Sequence, residues 1–260
     1  MKNEIVRYLN KIEAEYHVKI IYACESGSRV WGYSTESSDY DVRFVYVHHP
    51  DYYLSIDPVG VGAKRDVIEQ TPANELDFAG WDLTKALKMF RKSNPSFLEW
   101  LYSEDVYIER YDTAKAIRKL TGVIFSPQTG LFHYVNMAEG NMKGAERGSD
   151  FQVKRWINVL RPLLAAKWIE EKCSFPPLNV QSLLDEVNLE DNMNKIGRKI
   201  LAREQGEVKE QLLLFRDYAK QEISRILTEA KKSSEKHGDY TDELNAIFRK
   251  TLKKAWLQQE

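Results

Sequence analysis

The sequence predicts an α+β fold, in which a lobe mixing strands and helices is followed by a lobe of helices alone. Three observations carry this expectation. Two segments near the amino end, "VKIIYAC" and "DVRFVYV", are short, apolar and rich in β-branched and aromatic residues, as buried strands are. From Thr113 onward, apolar residues recur at helical spacing almost without interruption. The pattern changes once, near residues 105–125, and no internal repeat or low-complexity tract interrupts it. Two domains are therefore expected, residues 1–110 and residues 111–260, each long enough to bury a core.

In order along the chain, residues 2–16 set Ile5, Val6, Leu9 and Ile12 at helical spacing, with Lys and Glu between them. The run from Val18 to Cys24 is a strand covered on both faces, ended by Glu25-Ser26-Gly27-Ser28, where a turn or helix begins. A second strand covers "DVRFVYV", and "HHPDYYLSIDPVG", with its two prolines, is a connector or an edge feature. Short strands are expected at about Asp66 to Gln70 and Glu75 to Phe78. Asp82 is placed to cap a helix with Leu83, Ala86, Leu87 and either Phe90 or Met89 on its apolar side, and Pro95 lies past its end. "SFLEWLYS" forms a short helical turn. In the second lobe "FQVKRWINVLRPLLAAKWIEEK" is the strongest helical segment, expected to break at Pro162. "KEQLLLFRDYAKQEISRILTEAKK" is another, with too few heptads for a coiled coil. "KKSSEKHGDY" is a polar hinge, and "TDELNAIFRKTLKKAW" a last amphipathic helix behind a Thr or Asp cap.

Composition narrows the function classes. With 38 basic and 39 acidic side chains, a net charge of −1, the chain is not the strongly basic body of a nonspecific nucleic-acid binder. A nucleic-acid partner must meet a local patch. The two cysteines, Cys24 and Cys173, are too few for a disulfide framework and fit a reducing compartment. "MKNEIVRYLNKIEAEY" is charged and amphipathic rather than a signal peptide, and no apolar run approaches ~18 residues. A cytoplasmic protein with no membrane span is expected.

The chemistry is concentrated in "ESGSRVWGYSTESSDYDVRF". Residues i and i+2 of a strand share a face, so Asp39 and Asp41 present two carboxylates side by side, with Arg43 next in register. Hard oxygen ligands at that spacing suit Mg²⁺, whose coordination is usually completed by water and a substrate phosphate. Upstream, Gly27 and Ser28 follow a buried strand, where a small residue lets a phosphate approach the backbone and a hydroxyl adds a donor. A third carboxylate is wanted for two-metal transfer. Asp77 in "ELDFAG" is placed for it, because Leu76 and Phe78 face the core while Glu75 and Asp77 face the other way; Glu75 and Asp82 are the alternatives.

These residues carry a resemblance. "GSRVWGYSTESSDYDVRFVYV" is similar to the Gly-Ser, spacer, Asp-x-Asp signature of the DNA polymerase beta nucleotidyltransferase superfamily. More narrowly, "ESGSRVWG", "SDYDVRF", "DYYLS", "LDFAGWDLTKALK" and "SNPSFLEWL" resemble the predicted nucleotidyltransferases found with bacterial RNA repair operons. The likeness is close over residues 20–105 and looser to about residue 170. It implies a small mixed-sheet, polymerase beta-like nucleotidyltransferase lobe followed by an α-helical lobe, with NTP bound between them. It implies that Gly27 and Ser28 hold the β,γ-phosphates and that Asp39 and Asp41 hold the metals. Asp77 is then the catalytic third carboxylate and a further metal ligand. It makes Lys154, on a helix of the second lobe, a ligand of the triphosphate. Two Mg²⁺ ions are implied, with Mn²⁺ as a substitute.

Rival Asp-x-Asp chemistries fit less well. A haloacid dehalogenase phosphatase carries its Asp-x-Asp just after an apolar strand, whereas "YSTESS" precedes it here and the strand follows. A nucleotide-sugar glycosyltransferase needs a longer α/β domain upstream. His48 and His49 have no carboxylate or cysteine at metal spacing, and Trp81, Trp156 and Trp168 are expected in cores. Lys143, Arg147, Lys154 and Arg155, with glycines between, form an RNA-backbone patch or a solvated helix joint.

The expected activity is transfer of an NMP from an NTP to an acceptor hydroxyl with release of pyrophosphate, the acceptor being an RNA end resembling that of a tRNA. The alternatives are a protein or small-molecule hydroxyl, or a nucleotide-binding regulator without turnover.

Overall fold

The computed structural model describes residues 1–72, 75–146, 153–203, 208–231 and 238–257. The chain forms two compact units, one of Met1–Ile124 with Gly238–Glu260 and one of Phe125–His237. In the first, α1 (Lys2–Tyr16), β1 (Lys19–Ser26), a single turn α2 (Gly27–Val30) and β2 (Tyr40–Val47) follow in order. After α3 (Pro50–Tyr53) come β3 (Val67–Gln70), β4 (Leu76–Asp82), α4 (Leu83–Arg91), α5 (Pro95–Leu101), β5 (Val106–Glu109), α6 (Thr113–Arg118) and α7 (Thr121–Ile124). The second unit holds α8 (Pro127–Glu146), α9 (Val153–Lys172), α10 (Val180–Glu186), α11 (Asp191–Ala202) and α12 (Val208–Ala230). The chain then returns to the first unit through α13 (Thr241–Leu252), which runs into one π-helical turn at Lys253–Leu257.

The sheet order is β3-β4-β2-β1-β5. β2 pairs with β4 in parallel and every other pairing is antiparallel, so the sheet is mixed. The α+β class and the order of lobes are those the sequence predicts. Strand alternation decides what each face does: Val42, Phe44 and Tyr46 of β2 join Leu76, Phe78 and Ile68 in one apolar cluster, closed by Ile5, Leu9 and Ile12 of α1. Tyr8 of α1 stacks on Phe78 with ring centroids 4.7 Å apart. The opposite face packs on α4 and α5, where Trp81, Phe97 and Trp100 meet in one stacked, one tilted and one edge-on pair. Asp82 is fully buried at the N-cap of α4, accepting from the Thr84 amide at 2.8 Å.

The first compact unit runs on past residue 110 to Ile124, within the span where the sequence pattern changes, and takes in the carboxy-terminal segment as well. The strand signal stops near residue 110, but packing does not: α6 lies against β1, and α13 comes back to α4 and α6. The return is fixed by hydrogen bonds between Thr113 and Thr251 hydroxyls at 2.8 Å and from Arg91 to the Thr241 hydroxyl at 2.7 Å. β5 goes beyond the strands read from the sequence, and α9 corrects the expected break. α9 runs unbroken through Pro162, whose neighbours Leu160, Arg161, Leu163 and Leu164 are all buried. Burial of that whole turn against neighbouring helices offsets the one backbone hydrogen bond that proline cannot donate. Trp156 is buried against Phe215, as expected of a core aromatic.

Gly80 pairs with Phe44 across β2 and β4, and a Cβ there would lie 2.1 Å from the Phe44 ring. Phe44 is itself fully buried and cannot withdraw. Gly80→Ala is expected to lower the unfolding free energy by about 1–3 kcal/mol, the usual penalty of overpacking. A urea midpoint equal to that of the wild type would contradict the close approach.

Candidate active site

β1 ends at Ser26 and the chain turns at Gly27, whose φ of +67° is left-handed. The turn brings the Gly27 backbone against Asp41 so closely that a Cβ would stand 2.0 Å from Asp41 Oδ2. Only a glycine serves both conditions. Ser28 follows, half-buried, in the single turn α2. The spacer after α2 is held by Arg29, which donates to the carbonyls of Ser38 at 2.5 Å and Asp39 at 3.2 Å and lies 3.7 Å over the Tyr40 ring. Arg29 thus fixes the approach to β2.

Asp41 is in register with Ser26 of β1 on one side and Asp77 of β4 on the other. The alternation of β4 buries Leu76 and Phe78 and leaves Asp77 half-exposed between them, as the pattern "ELDFAG" predicts. Arg43 forks between the two carboxylates, 3.0 Å from Asp41 Oδ1 and 2.8 Å from Asp77 Oδ2. Asp39 is exposed just before the strand. Burial raises the Asp41 carboxyl above its ordinary pKa; the Arg43 charge opposes this, and the Asp77 and Asp39 charges add to it. Asp41 thus lies within the field of both other aspartates. Of the alternatives to Asp77, Glu75 is exposed ahead of β4, and Asp82 is buried at the far end of the strand, bonded to Tyr53 at 2.6 Å and to Thr84.

Beneath Asp41 lies a residue that sequence reasoning passed over. Glu25, 2 % exposed at the end of β1, accepts the Asp41 amide at 2.9 Å and the hydroxyl of Tyr107 on β5. Burial raises its carboxyl pKa, against the lowering effect of those two hydrogen bonds. Glu25 ties β1, β2 and β5 together at the level of the carboxylates. Glu25→Ala is expected to destabilise the protein by about 2–4 kcal/mol, because it leaves a buried amide and a phenol unpaired. Glu25→Gln, which can still accept one of the two bonds, should lose less than half as much in the same denaturation experiment. Equal losses would show that the hydrogen bonds do not matter.

The other sequence-derived residues lie elsewhere. Lys154 and Arg155 are exposed on the first turn of α9, in the second unit, with Arg155 3.5 Å from the Gly144 carbonyl. Lys143 on α8 is paired with Glu139 at 2.9 Å, and Arg147 lies outside the described residues. His48 is half-buried and stacked on Tyr52 at 3.8 Å, and burial lowers its pKa to about 4. Cys24 and Cys173 are free thiols, and burial pushes Cys24 up to about 12.

Among the described residues no three Asp, Glu, His or Cys side chains converge as a ready metal group. The donors nonetheless have the chemistry of a hard-cation site: carboxylate oxygens that reach solvent, one of them raised in pKa by burial first and then by the charges of Asp77 and Asp39. Arg43 supplies the positive charge between Asp41 and Asp77.

A mixed five-stranded sheet with a glycine turn at the end of β1, carboxylates on the adjoining β2 and β4, and a following helical unit is the polymerase beta-like class of nucleotidyltransferase fold. Residues 1–250 match the family described as RlaP, the RNA repair pathway DNA polymerase beta family, and the chain belongs to it. It has therefore the generic nucleotidyltransferase character of that superfamily. It is similar to the uncharacterized protein YcgL of Bacillus subtilis (strain 168), with 39% identity over 260 residues covering 98% of each chain. A crystal structure of a nucleotidyltransferase-like protein from Exiguobacterium sibiricum 255-15 is similar at a TM-score of 0.36 and 12% identity, over 98% of this chain and 91% of that one. Among the described residues no helix is long and apolar enough to cross a membrane.

Proposed function

We propose that the protein transfers an NMP from an NTP to the hydroxyl of an RNA end. The observation that carries this reading is the pairing of Asp41 with Asp77 across parallel strands, beside a backbone turn at Gly27 that admits no side chain. Asp39 and Asp41 would hold Mg²⁺, with Asp77 as the third carboxylate. The ion, when bound, supplies neutralisation of the triphosphate and of the leaving pyrophosphate.

The residues of the chain do the rest. Asp77, at the more open end of the Arg43 fork, orients the acceptor hydroxyl and takes its proton. The acceptor oxygen bonds to the α-phosphorus as the bond to the bridging oxygen breaks, and pyrophosphate departs in line. The Gly27 and Ser28 backbone, with the Ser28 hydroxyl, cradles the leaving phosphates. Arg43 is freed towards phosphate charge once a carboxylate finds another cation. Lys154 is assigned to the triphosphate by the resemblance. The catalytic domain in this reading is residues 1–110, completed by the packing of α6, α7 and α13, and the helical domain takes the remainder of residues 111–260.

The test is incubation of the purified protein with each labelled NTP in turn, with Mg²⁺ and total RNA. Label is expected in RNA from the wild type and not from Asp41→Asn. Label in protein or in a small molecule would move the acceptor, and no transfer from any NTP would remove the reading.

A further inference from the structure

The first unit carries a second feature that the proposed chemistry does not use. Between α6 and α13 lies a groove of about 590 Å³. Its floor is apolar, with Ala116, Leu120 and Ile247, and its rims carry Lys115, Lys119 and Lys250. All three lysines are exposed, and none is ion-paired among the described residues. The rim acids are fewer. Asp112 is already held by Lys254 at 3.2 Å, and Glu243 is the other. Lys115 and Lys119 stand one helical turn apart, so their ammonium groups point along one side of the groove. In a chain with a net charge of −1 this is a local excess of positive charge, only part of it answered by Asp112, whose carboxyl is held low by Lys254 first and also feels Lys115 and Lys250.

The groove lies at the opposite end of the sheet from the carboxylates. The Arg110 amide, just before the groove, bonds to the Ile21 carbonyl, whereas Asp41 is in register with Ser26. Five residues of extended strand separate the two levels, on the order of 17 Å. The groove therefore cannot hold the reacting end of an acceptor or the triphosphate. It can hold only a part of the acceptor several nucleotides away. A linear polyanion meets that requirement, because it repeats its charge along its length.

We propose that the groove between α6 and α13 is a docking track for the phosphodiester backbone of the RNA acceptor, gripped by Lys115, Lys119 and Lys250. It rests on the reading of the site as a transferase acting on RNA. The apolar floor suits riboses and bases, and the lysines take the phosphates without reading sequence. The track selects acceptors by length, since a di- or trinucleotide seated at Asp41 cannot reach it.

The test is a salt series of RNA affinity with a single-stranded 30-mer and a trinucleotide, using wild type and a Lys115→Gln, Lys119→Gln, Lys250→Gln variant. Three lost phosphate contacts lower the slope of log affinity against log salt by about 2. Between 50 and 200 mM salt the wild type should then lose about 20-fold more of its 30-mer affinity than the variant does. Trinucleotide binding should be the same in both. A Lys→Arg triple keeps the charge and should keep the wild-type slope, which separates loss of charge from damage to the helices. Equal slopes for wild type and the Gln variant, or no measurable binding of the 30-mer by wild type, overturn the proposal. So does a Gln variant that loses affinity without change of slope, which would indicate an altered fold rather than lost phosphate contacts. Asp41→Asn, run beside them, keeps the two readings apart: it should keep the 30-mer slope while losing transfer. A transfer-competent Asp41→Asn protein would remove the chemistry and leave the track.

Discussion

Replacing Asp41 by asparagine is expected to reduce nucleotidyl transfer about 10³-fold or more, some ~4 kcal/mol of transition-state stabilisation, while the protein stays folded. The fold should even gain. The Asp41 carboxyl is raised in pKa in the folded protein, by burial first. A raised folded value means that the folded chain binds the proton more tightly than the unfolded chain. The stability this contributes is fully present below the unfolded value and is lost as pH rises through the folded one. At pH 7 the ionised Asp41 therefore weakens the fold, and the neutral amide removes that weakness while Arg43 keeps Asp77 at 2.8 Å. Asp41→Asn should melt no lower than wild type at pH 7, and its advantage should shrink as the pH is brought down towards the ordinary carboxyl value of 3.8. Asp39→Asn, at an exposed position before β2, should lose transfer as well. Transfer retained in both variants would remove the carboxylate assignment.

Some of this was legible along the chain and some was not, and the difference is one of range. α1, β1, β2 and the Asp82 cap are written in local periodicity and capping chemistry, and they stand where the pattern puts them. The facing of Asp77 away from the core also follows from alternation within four residues. Its register with Asp41 does not, because nothing local fixes which strands are neighbours. Glu25 shows the limit more sharply. Its partners are 16 and 82 residues away, and the second sits on β5, a four-residue strand with one buried side chain. "DVYIER" does carry a Val-Tyr-Ile strand signal, between the turn residues Ser103 to Asp105 and a charged end, and that signal could have found it. Pro162 fails in the opposite sense: a strong local rule was overridden by the burial of the residues around it. The amphipathic pattern of α13 shows that it packs but not against what: its Phe248 meets Tyr53 and its Thr251 bonds to Thr113, partners far away in the chain.

Substitution of Gly27 is expected to remove NTP binding and to destabilise the fold, by two separable routes. The first is conformational. A φ of +67° costs a side-chain-bearing residue about 1–2 kcal/mol, and more for a β-branched one. The second is steric. The added Cβ would stand 2.0 Å from Asp41 Oδ2 and 2.8 Å from its Cγ, so the carboxylate must leave its place against the turn. Gly27→Ala should therefore lose about 2–4 kcal/mol in all, and Gly27→Val more. The two routes can be told apart by a double-mutant cycle with Asp41→Ala, which removes the obstructing carboxylate and leaves the φ penalty intact. The pair should be more stable than the sum of the single changes predicts, with a coupling of about 1 kcal/mol or more, yet still without NTP binding in a thermal shift with Mg²⁺. Additivity would mean that Asp41 does not rest on the turn. A folded Gly27→Val protein whose melting temperature still rises with NTP and Mg²⁺ would place the triphosphate elsewhere, because no phosphate could then be lying on the backbone that the valine covers.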